Sequence, residues 1–279
     1  MAVTTRKVDY YDAPALTAMT SLPDGAISSM LEGKRAIVTG GGKGIGKGIS
    51  LRLAAAGAAV VIVGNENLTM AEETAAEIRS QGGKVAVIGA DLSKPESPKK
   101  VVDFTLETFS GVDILVNNAA YQPNLDIDEY SGERFNMVMQ INLYAYIRMI
   151  TQCIPHLREC GEGRIINISS IHGKRPTDFD FGYAVSKGGI HMLTREAAAE
   201  LWQYGITVNA ILPGGTAIEF KSGDVSSFKG MRVERERKYN LNFPGMPSDT
   251  GNLCVYLASG LGRHINGCAI RTDGGCVLF

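Results

Sequence analysis

Tyr183 and Lys187 stand four residues apart in Tyr183-Ala-Val-Ser-Lys187, at the opening of a long stretch of helical character that runs to Tyr204. On a helix, that spacing sets both side chains on one face. A free phenol has a pKa of about 10, too high to exchange protons readily near neutrality. A lysine ammonium one turn away would favour the phenolate and lower that value. General acid–base catalysis works best when the group's pKa approaches the operating pH. Alone, the pair is weak, because Tyr and Lys recur at this spacing as packing or surface neighbours. Thirteen residues upstream, however, Ile168-Ser169-Ser170 closes an apolar run and brings a hydroxyl to the same end of the chain's architecture. The spacing favours Ser170; a slip of one residue would make it Ser169.

A glycine cluster supplies the second feature. Arg35-Ala-Ile-Val-Thr39 leads directly into Gly40-Gly41-Gly42-Lys43-Gly44-Ile45-Gly46 and then into a helical stretch. Glycines let the backbone approach a pyrophosphate, and a helix start offers unpaired N–H groups and a positive dipole end. The strict G-x-G-x-x-G spacing is absent, and a tight strand-to-helix turn needs glycine anyway. At the first such turn of an alternating chain, the cluster points to a dinucleotide. At the end of the next strand an acid selects NAD, whereas a nearby cation accommodates the 2′-phosphate of NADP. The chain reads Val63-Gly64-Asn65-Glu66-Asn67 there. Gly64, at the expected acidic position, neither binds a ribose hydroxyl nor repels a phosphate, and Lys43 offers a cation. That favours NADP over NAD. Glu66, moved by a small loop shift, would argue for NAD, and Lys43 could equally face solvent.

These groups need a frame. Apolar, β-branched runs lie at 36–39, 59–63, 84–88, 112–116, 164–168, 206–211 and 269–271, with helical stretches at 45–57, 67–81, 95–109, 131–159, 181–204 and 248–259. Continuous apolar strands, each followed by a helix, predict a doubly wound, Rossmann-like parallel sheet of seven strands with helices on both faces, in a single domain over 33–279. Residues 1–32 show no sustained period and read as an extension, disordered or laid as an arm over the body or a partner chain. From about 214 to 247 there is no strand, but there are Gly223, Gly230, Gly245 and the charged patch Arg232 to Lys238. A connection that long is usually functional, so it reads as a lid or substrate loop, with a solvated surface helix as the plainer alternative.

Composition closes off other classes. Among 279 residues, 28 Lys+Arg face 29 Asp+Glu, which leaves no concentrated basic face for nucleic acid. The 5 cysteines are scattered and never spaced as C-x-x-C, so neither a disulfide scaffold nor a metal site is expected. The longest apolar run, around Leu53 to Val63, is short of the roughly 20 residues that span a membrane. The N-terminus lacks a secretory layout. A soluble, cytoplasmic globular protein is expected.

Taken together, the motifs resemble the short-chain dehydrogenase/reductase family, from about Gly33 to Gly275. Thr39-Gly-Gly-Gly-Lys-Gly-Ile-Gly46 is similar to TGxxxGIG. Asp91 resembles the acid that contacts adenine, and Asn117-Asn-Ala-Ala120 resembles NNAG with its last glycine replaced. Asn142 falls at the family's catalytic asparagine, and Ser170, Tyr183 and Lys187 match its Ser, Tyr and Lys. Pro213-Gly214 and Thr272-Asp-Gly-Gly275 match the PG and DGG signatures. The resemblance implies hydride transfer between a nicotinamide cofactor and a secondary alcohol or ketone. Tyr183 would move the proton, and Ser170 would hold the substrate oxygen. Lys187 would bind the nicotinamide ribose and, with the cationic oxidised nicotinamide, hold the tyrosine's pKa down. Asn142 would position a water for proton relay. The resemblance also implies cofactor contacts at Gly40, Gly42, Lys43, Gly44, Ile45 and Gly46, at Asn65, Asp91 and Leu92, at Asn118 and Ala119, and at Pro213, Gly214 and Thr216. One departure is Ile218 where many members carry threonine, with Thr216 two residues early.

The segment from Ile171 to Gly182 must border the site, because both its ends do. It is polar and charged, with His172 either meeting a substrate hydroxyl or acting as a structural cap, and it resembles the sugar and polyol branch of the family. Phe220, Phe228, Met231, Phe243 and Met246 keep a steroid or 3-ketoacyl substrate open. A cofactor-sensing module without turnover is the other class; such proteins lose the tyrosine or lysine that this chain keeps. In the family the long helices at 131–159 and 181–204 pair across a dimer, often doubled into a tetramer, so a homo-oligomer is the expected partner state.

Overall fold

A strand that is apolar without alternation must be covered on both faces, because each side chain leaves the backbone in the opposite direction to the next. Ala59–Gly64, with sequence AVVIVG, is such a strand, and its residues 59–63 are all buried. The computed structural model describes residues 28–65, 67–176, 180–217, 245–275 and 277. Its strands are β1 (Arg35–Thr39), β2 (Ala59–Gly64), β3 (Val85–Gly89), β4 (Ile114–Asn117), β5 (Arg164–Ile168), β6 (Thr207–Pro213) and β7 (Ala269–Thr272). They form one parallel sheet in the order β3-β2-β1-β4-β5-β6-β7. The winding reverses between β1 and β4, which opens a crevice beyond their carboxyl ends.

The helices divide between the two faces. The first face carries α1 (Gly44–Ala55), α2 (Thr69–Ser80) and, near the C-terminus, Pro247–Ala258, which pack Ile49, Leu53, Ile78 and Val255 into one core cluster. Opposite lie α3 (Ser97–Phe109), Ala145–Glu159 and Phe181–Leu201, with Val101, Met149 and Leu201 in the second cluster. In chain order the remaining helices are α4 (Gly132–Met139), α5 (Ala145–Glu159), α6 (Phe181–Leu201) and α7 (Pro247–Ala258). Each strand begins and ends within two residues of its expected place. The helix expected over 131–159 is instead two, α4 and α5, joined by a π turn at Gln140–Tyr144. Its 3.6-residue pattern concealed one wider turn.

Leu31, placed in the extension by the sequence, is 1% exposed, and its N–H donates to the Ala56 carbonyl at 2.8 Å. Residues 1–27 and 218–244, most of the extension and of the expected lid, lie outside the described residues. The two sides of that second segment are pinned together: Ala217 N–H donates to Gly245 O at 2.9 Å, and Gly245 N–H to Gly215 O at 3.0 Å.

α1 and α7 meet backbone to backbone. A Cβ on Gly48 would collide with the main chain of Pro247, and one on Gly251 would lie 2.6 Å from the Gly48 carbonyl oxygen. Neither obstacle is a flexible side chain that could turn away. Gly48→Val is therefore expected to lower stability by about 2 kcal/mol or more, read from the midpoint of urea unfolding.

Candidate active site

The glycine turn leaves the end of β1 at the switch point. Gly40 and Gly44 adopt left-handed φ values of 63° and 52°, which an L side chain adopts only under strain. A Cβ on Gly46 would collide with the Gly40 carbonyl. The turn is laced to the end of β4: Asn118 Nδ2 donates to the carbonyls of Thr39 (2.9 Å) and Gly40 (3.1 Å), and Thr39 Oγ1 accepts from the N–H groups of Asn118 (2.8 Å) and Ala119 (3.0 Å). Ala120 has no positive φ, so alanine serves where NNAG has glycine. No side chain caps α1 at Lys43 and no acid lies in its first turn. The N–H groups and positive end of α1 are thus presented to an anionic group. A diphosphate fits these residues.

Beyond β2 and β3 an open pocket of about 400 Å³ is walled by Asn65, Gly89, Ala90, Asp91, Ser97 and Lys100. A Cβ at Gly64 would meet the flexible end of Leu68, Cδ2 at 2.6 Å, and lie in ordinary contact with Ala71 Cβ at 3.6 Å, so Gly64 points towards α2 and is not among the pocket's walls. Asn65 is the residue that faces the pocket. Lys43 is exposed and is not among the pocket's walls, whereas Lys100 is, its Nζ donating to Gly89 O at 3.0 Å. Asp91 caps its own turn through Ser93 N–H at 3.0 Å. Leu92 is buried in the core cluster, and Ile45 packs against the other. Glu66 and Ile218 lie outside the described residues. Gly214 N–H donates to Thr272 O, and Thr216 Oγ1 turns back to the Gly214 carbonyl at 3.1 Å.

On the other side of the crevice, the end of β5 meets α6. Lys187 is 1% exposed, and its Nζ donates to the Ile168 carbonyl at 2.8 Å. That carbonyl also accepts from the Tyr146 hydroxyl at 3.1 Å. Lys187 Nζ lies 5.4 Å from the Tyr183 ring centroid. Ser170, next after Ser169 beyond the strand, hydrogen-bonds Tyr183 and accepts from His172 N–H at 3.1 Å. Ser169 turns inward, its hydroxyl donating to the Lys187 carbonyl at 2.9 Å and lying 2.9 Å from His191 Nε2. Of the two serines, Ser170 is the one that meets Tyr183.

Asn142 sits in the π turn, fully buried, and its side chain braces two elements. Its Oδ1 accepts from Tyr121 N–H at 2.7 Å, while Nδ2 donates at 3.0 Å to Tyr121 O and to Ser186 Oγ. Ser186 Oγ in turn donates to Tyr183 O at 2.7 Å.

The protonation energetics differ from the sequence expectation. Burial pushes the Tyr183 hydroxyl above its ordinary value; the Ser170 hydrogen bond pulls it back, and the charge of Asp180 pushes it further up. Burial lowers Lys187 to about 7, which weakens its hold on the phenol relative to that of an exposed ammonium. Two residues that sequence reasoning missed lie here. Asp180 caps α6 by accepting from Tyr183 N–H at 3.1 Å, and an aspartate just ahead of a helix is a readable start signal. Lys100 carried no signal, since only the turn of α3 brings it to the pocket.

Residues 34–226 match the family model described as short chain dehydrogenase. This chain belongs to the short-chain dehydrogenase family. It is similar to 3beta-hydroxysteroid dehydrogenase 1 of Eggerthella lenta (34% identity, 89% of this chain and 95% of that one) and to D-beta-hydroxybutyrate dehydrogenase of Cupriavidus necator (34%, 89% and 99%). Its fold is similar to a short chain dehydrogenase from Burkholderia cenocepacia crystallised with NADP, with 33% identity, a TM-score of 0.80, and coverage of 89% of this chain and 99% of that one. As a short-chain dehydrogenase it is an NAD(P)-dependent oxidoreductase acting on alcohol and ketone groups. None of its described helices is long and apolar enough to cross a membrane.

The buried lysine has a signature in stability. Its folded value of about 7 lies below the ordinary 10.5, so between those limits the unfolded chain binds more protons and stability rises with pH. Lys187→Met lacks this contribution. Its stability advantage over the wild type is expected to be greatest at pH 7 and below and to shrink towards pH 10, checked by thermal unfolding across that range.

Proposed function

We propose that the enzyme interconverts a secondary alcohol and a ketone on a polar, sugar- or polyol-like substrate, using NADP in preference to NAD. The observation that carries this is the convergence of Ser170, Tyr183 and Lys187 across the crevice from an uncapped helix start. Gly40, Gly42, Gly44, Ile45 and Gly46 would hold the diphosphate and Lys43 the 2′-phosphate; Asn65, Asp91 and Leu92 the adenosine end; Asn118, Ala119, Pro213, Gly214 and Thr216, with Lys187, the nicotinamide end. When bound, the cofactor supplies or accepts hydride at C4 of its nicotinamide, whose oxidised form also adds a positive charge.

The chain's own groups handle the proton. In reduction, the Tyr183 hydroxyl donates its proton to the ketone oxygen; in oxidation, Tyr183 takes it from the alcohol. The Ser170 hydroxyl hydrogen-bonds the same oxygen and steadies the charge that develops there. Lys187, at about 7, can hand on a proton at neutral pH, and Asn142 braces the loop at Tyr121 against the helix that bears both residues. Lys174, Arg175 and His172 give the segment after Ser170 a polar, cationic character that suits a hydroxylated or anionic substrate. A steroid or 3-ketoacyl reading is favoured instead by the ring cluster Tyr130, Phe135 and Phe181, with centroids 6.1–6.2 Å apart. The exposed Met137, Tyr144, Ile147, Val185 and Met192, along α4 to α6, support a homodimer or homotetramer.

Turnover of NADPH and NADH against glucose, a 3-ketosteroid and acetoacetate separates the substrate classes. Tyr183→Phe is expected to lower kcat at least 1,000-fold, roughly the contribution of a positioned proton donor, while NADPH affinity stays within a few-fold by fluorescence titration. Retained activity would remove Tyr183 from the proposal. For the cofactor, Lys43→Ala is expected to weaken NADPH more than NADH, and Asn65→Asp to favour NADH by roughly tenfold, the effect of setting a carboxylate against the 2′-phosphate. Equal weakening of both cofactors by Lys43→Ala would remove Lys43 from that choice.

A further inference from the structure

We propose that Asp180 is a positioning residue for Tyr183: its carboxylate fastens the loop from Asn124 to Tyr130 onto the first turn of α6, at whose start it sets a negative charge beside Tyr183. This rests on the reading of Tyr183 as the proton-transfer group.

Asp180 is 1% exposed. Its Oδ1 accepts from the Tyr130 hydroxyl at 2.5 Å and from Tyr183 N–H at 3.1 Å, and its Oδ2 accepts from Asn124 N–H at 2.9 Å. All three partners donate. An ionised carboxylate satisfies that set, whereas a protonated one would need an acceptor. No cation pairs with Asp180 among the described residues; neutral donors and the positive end of α6 hold it. Its field therefore reaches its neighbours without a local counter-charge.

The clamp is built into both sides. Asn124 is held at a left-handed φ of 55°, and the Tyr130 ring lies so close to α6 that a Cβ on Gly182 would sit 2.7 Å from its hydroxyl. The groups facing Tyr183 are Ser170 beyond β5, Tyr146 from α5, Lys187 on its own helix and Asp180 at the cap. Lys187 is the only cation among them, and burial has drawn it to about 7. The same carboxylate pushes the Tyr130 hydroxyl upward, after burial itself.

Titrating Tyr183 directly, without substrate, tests the charge. The protein is labelled with 13Cζ-tyrosine, the Tyr183 resonance is assigned by its loss in Tyr183→Phe, and its midpoint is followed from pH 6 to 12. Asp180→Asn is expected to lower the midpoint by about half a pH unit or more, and Asp180→Glu, which keeps the charge, to restore at least half of that difference. An unchanged midpoint in Asp180→Asn, or a glutamate variant that behaves like asparagine, overturns the proposal. Should Asp180→Asn fail to give a native circular dichroism spectrum, Tyr130→Phe decides. Removing that donor leaves the carboxylate less neutralised and is expected to raise the Tyr183 midpoint; an unchanged or lower midpoint overturns the proposal. Because the titration needs no turnover, its failure is distinct from retained activity in Tyr183→Phe.

Discussion

The hydrogen bond from Lys187 Nζ to the Ile168 carbonyl is the contact on which the site's geometry turns. A buried amine whose N–H groups lack an acceptor is disfavoured, and more so when charged, so the lysine must reach a carbonyl, and the one it reaches is at the last residue of β5. That requirement fixes α6 against the strand end. Ser170 is two residues beyond Ile168, and Tyr183 is one helical turn before Lys187. Once the ammonium is seated, both hydroxyls are brought to the crevice. Tyr146 shares the same acceptor, so α5 is drawn into the arrangement as well.

The opposite wall obeys a different constraint. There the turn packs against its own neighbours, so a Cβ would press on Ala119 at Gly40, on Ala71 at Gly42 and on the Gly40 carbonyl at Gly46, and Asn118 and Thr39 stitch the bare turn to β4 with four hydrogen bonds. One wall is thus defined by a charge that must be satisfied, the other by space that must stay empty. The parallel sheet sets the two facing each other across the point where its winding reverses.

Most of the frame was legible because continuous apolar strands and the helices between them leave few arrangements open. Ser170, Tyr183 and Lys187 were singled out by their spacing together with the family resemblance, and the structure brings the three together while Ser169 turns inward to His191. Other features depend on neighbours distant in sequence. Gly64 ends β2 and was read as the discriminating position, but it points towards Leu68 and Ala71, while its neighbour Asn65 lines the pocket. The effect of Lys187 on Tyr183 was read as that of a full ammonium, which holds at an exposed site and fails at one that is 1% exposed. The π turn around Asn142 left no mark in the apolar pattern, since it adds a single residue to one turn.

The pinning of Ala217 to Gly245, with Gly215 as the second partner, has a consequence for how such a scaffold diversifies. Because the two feet of the intervening stretch are held by main-chain bonds at the sheet's rim, its ends stay together whatever its amino acids are. Doubling such a stretch adds only about 0.6 kcal/mol of closure entropy. Residues can be inserted, deleted or exchanged there while the two ends and the sheet rim that holds them stay in register.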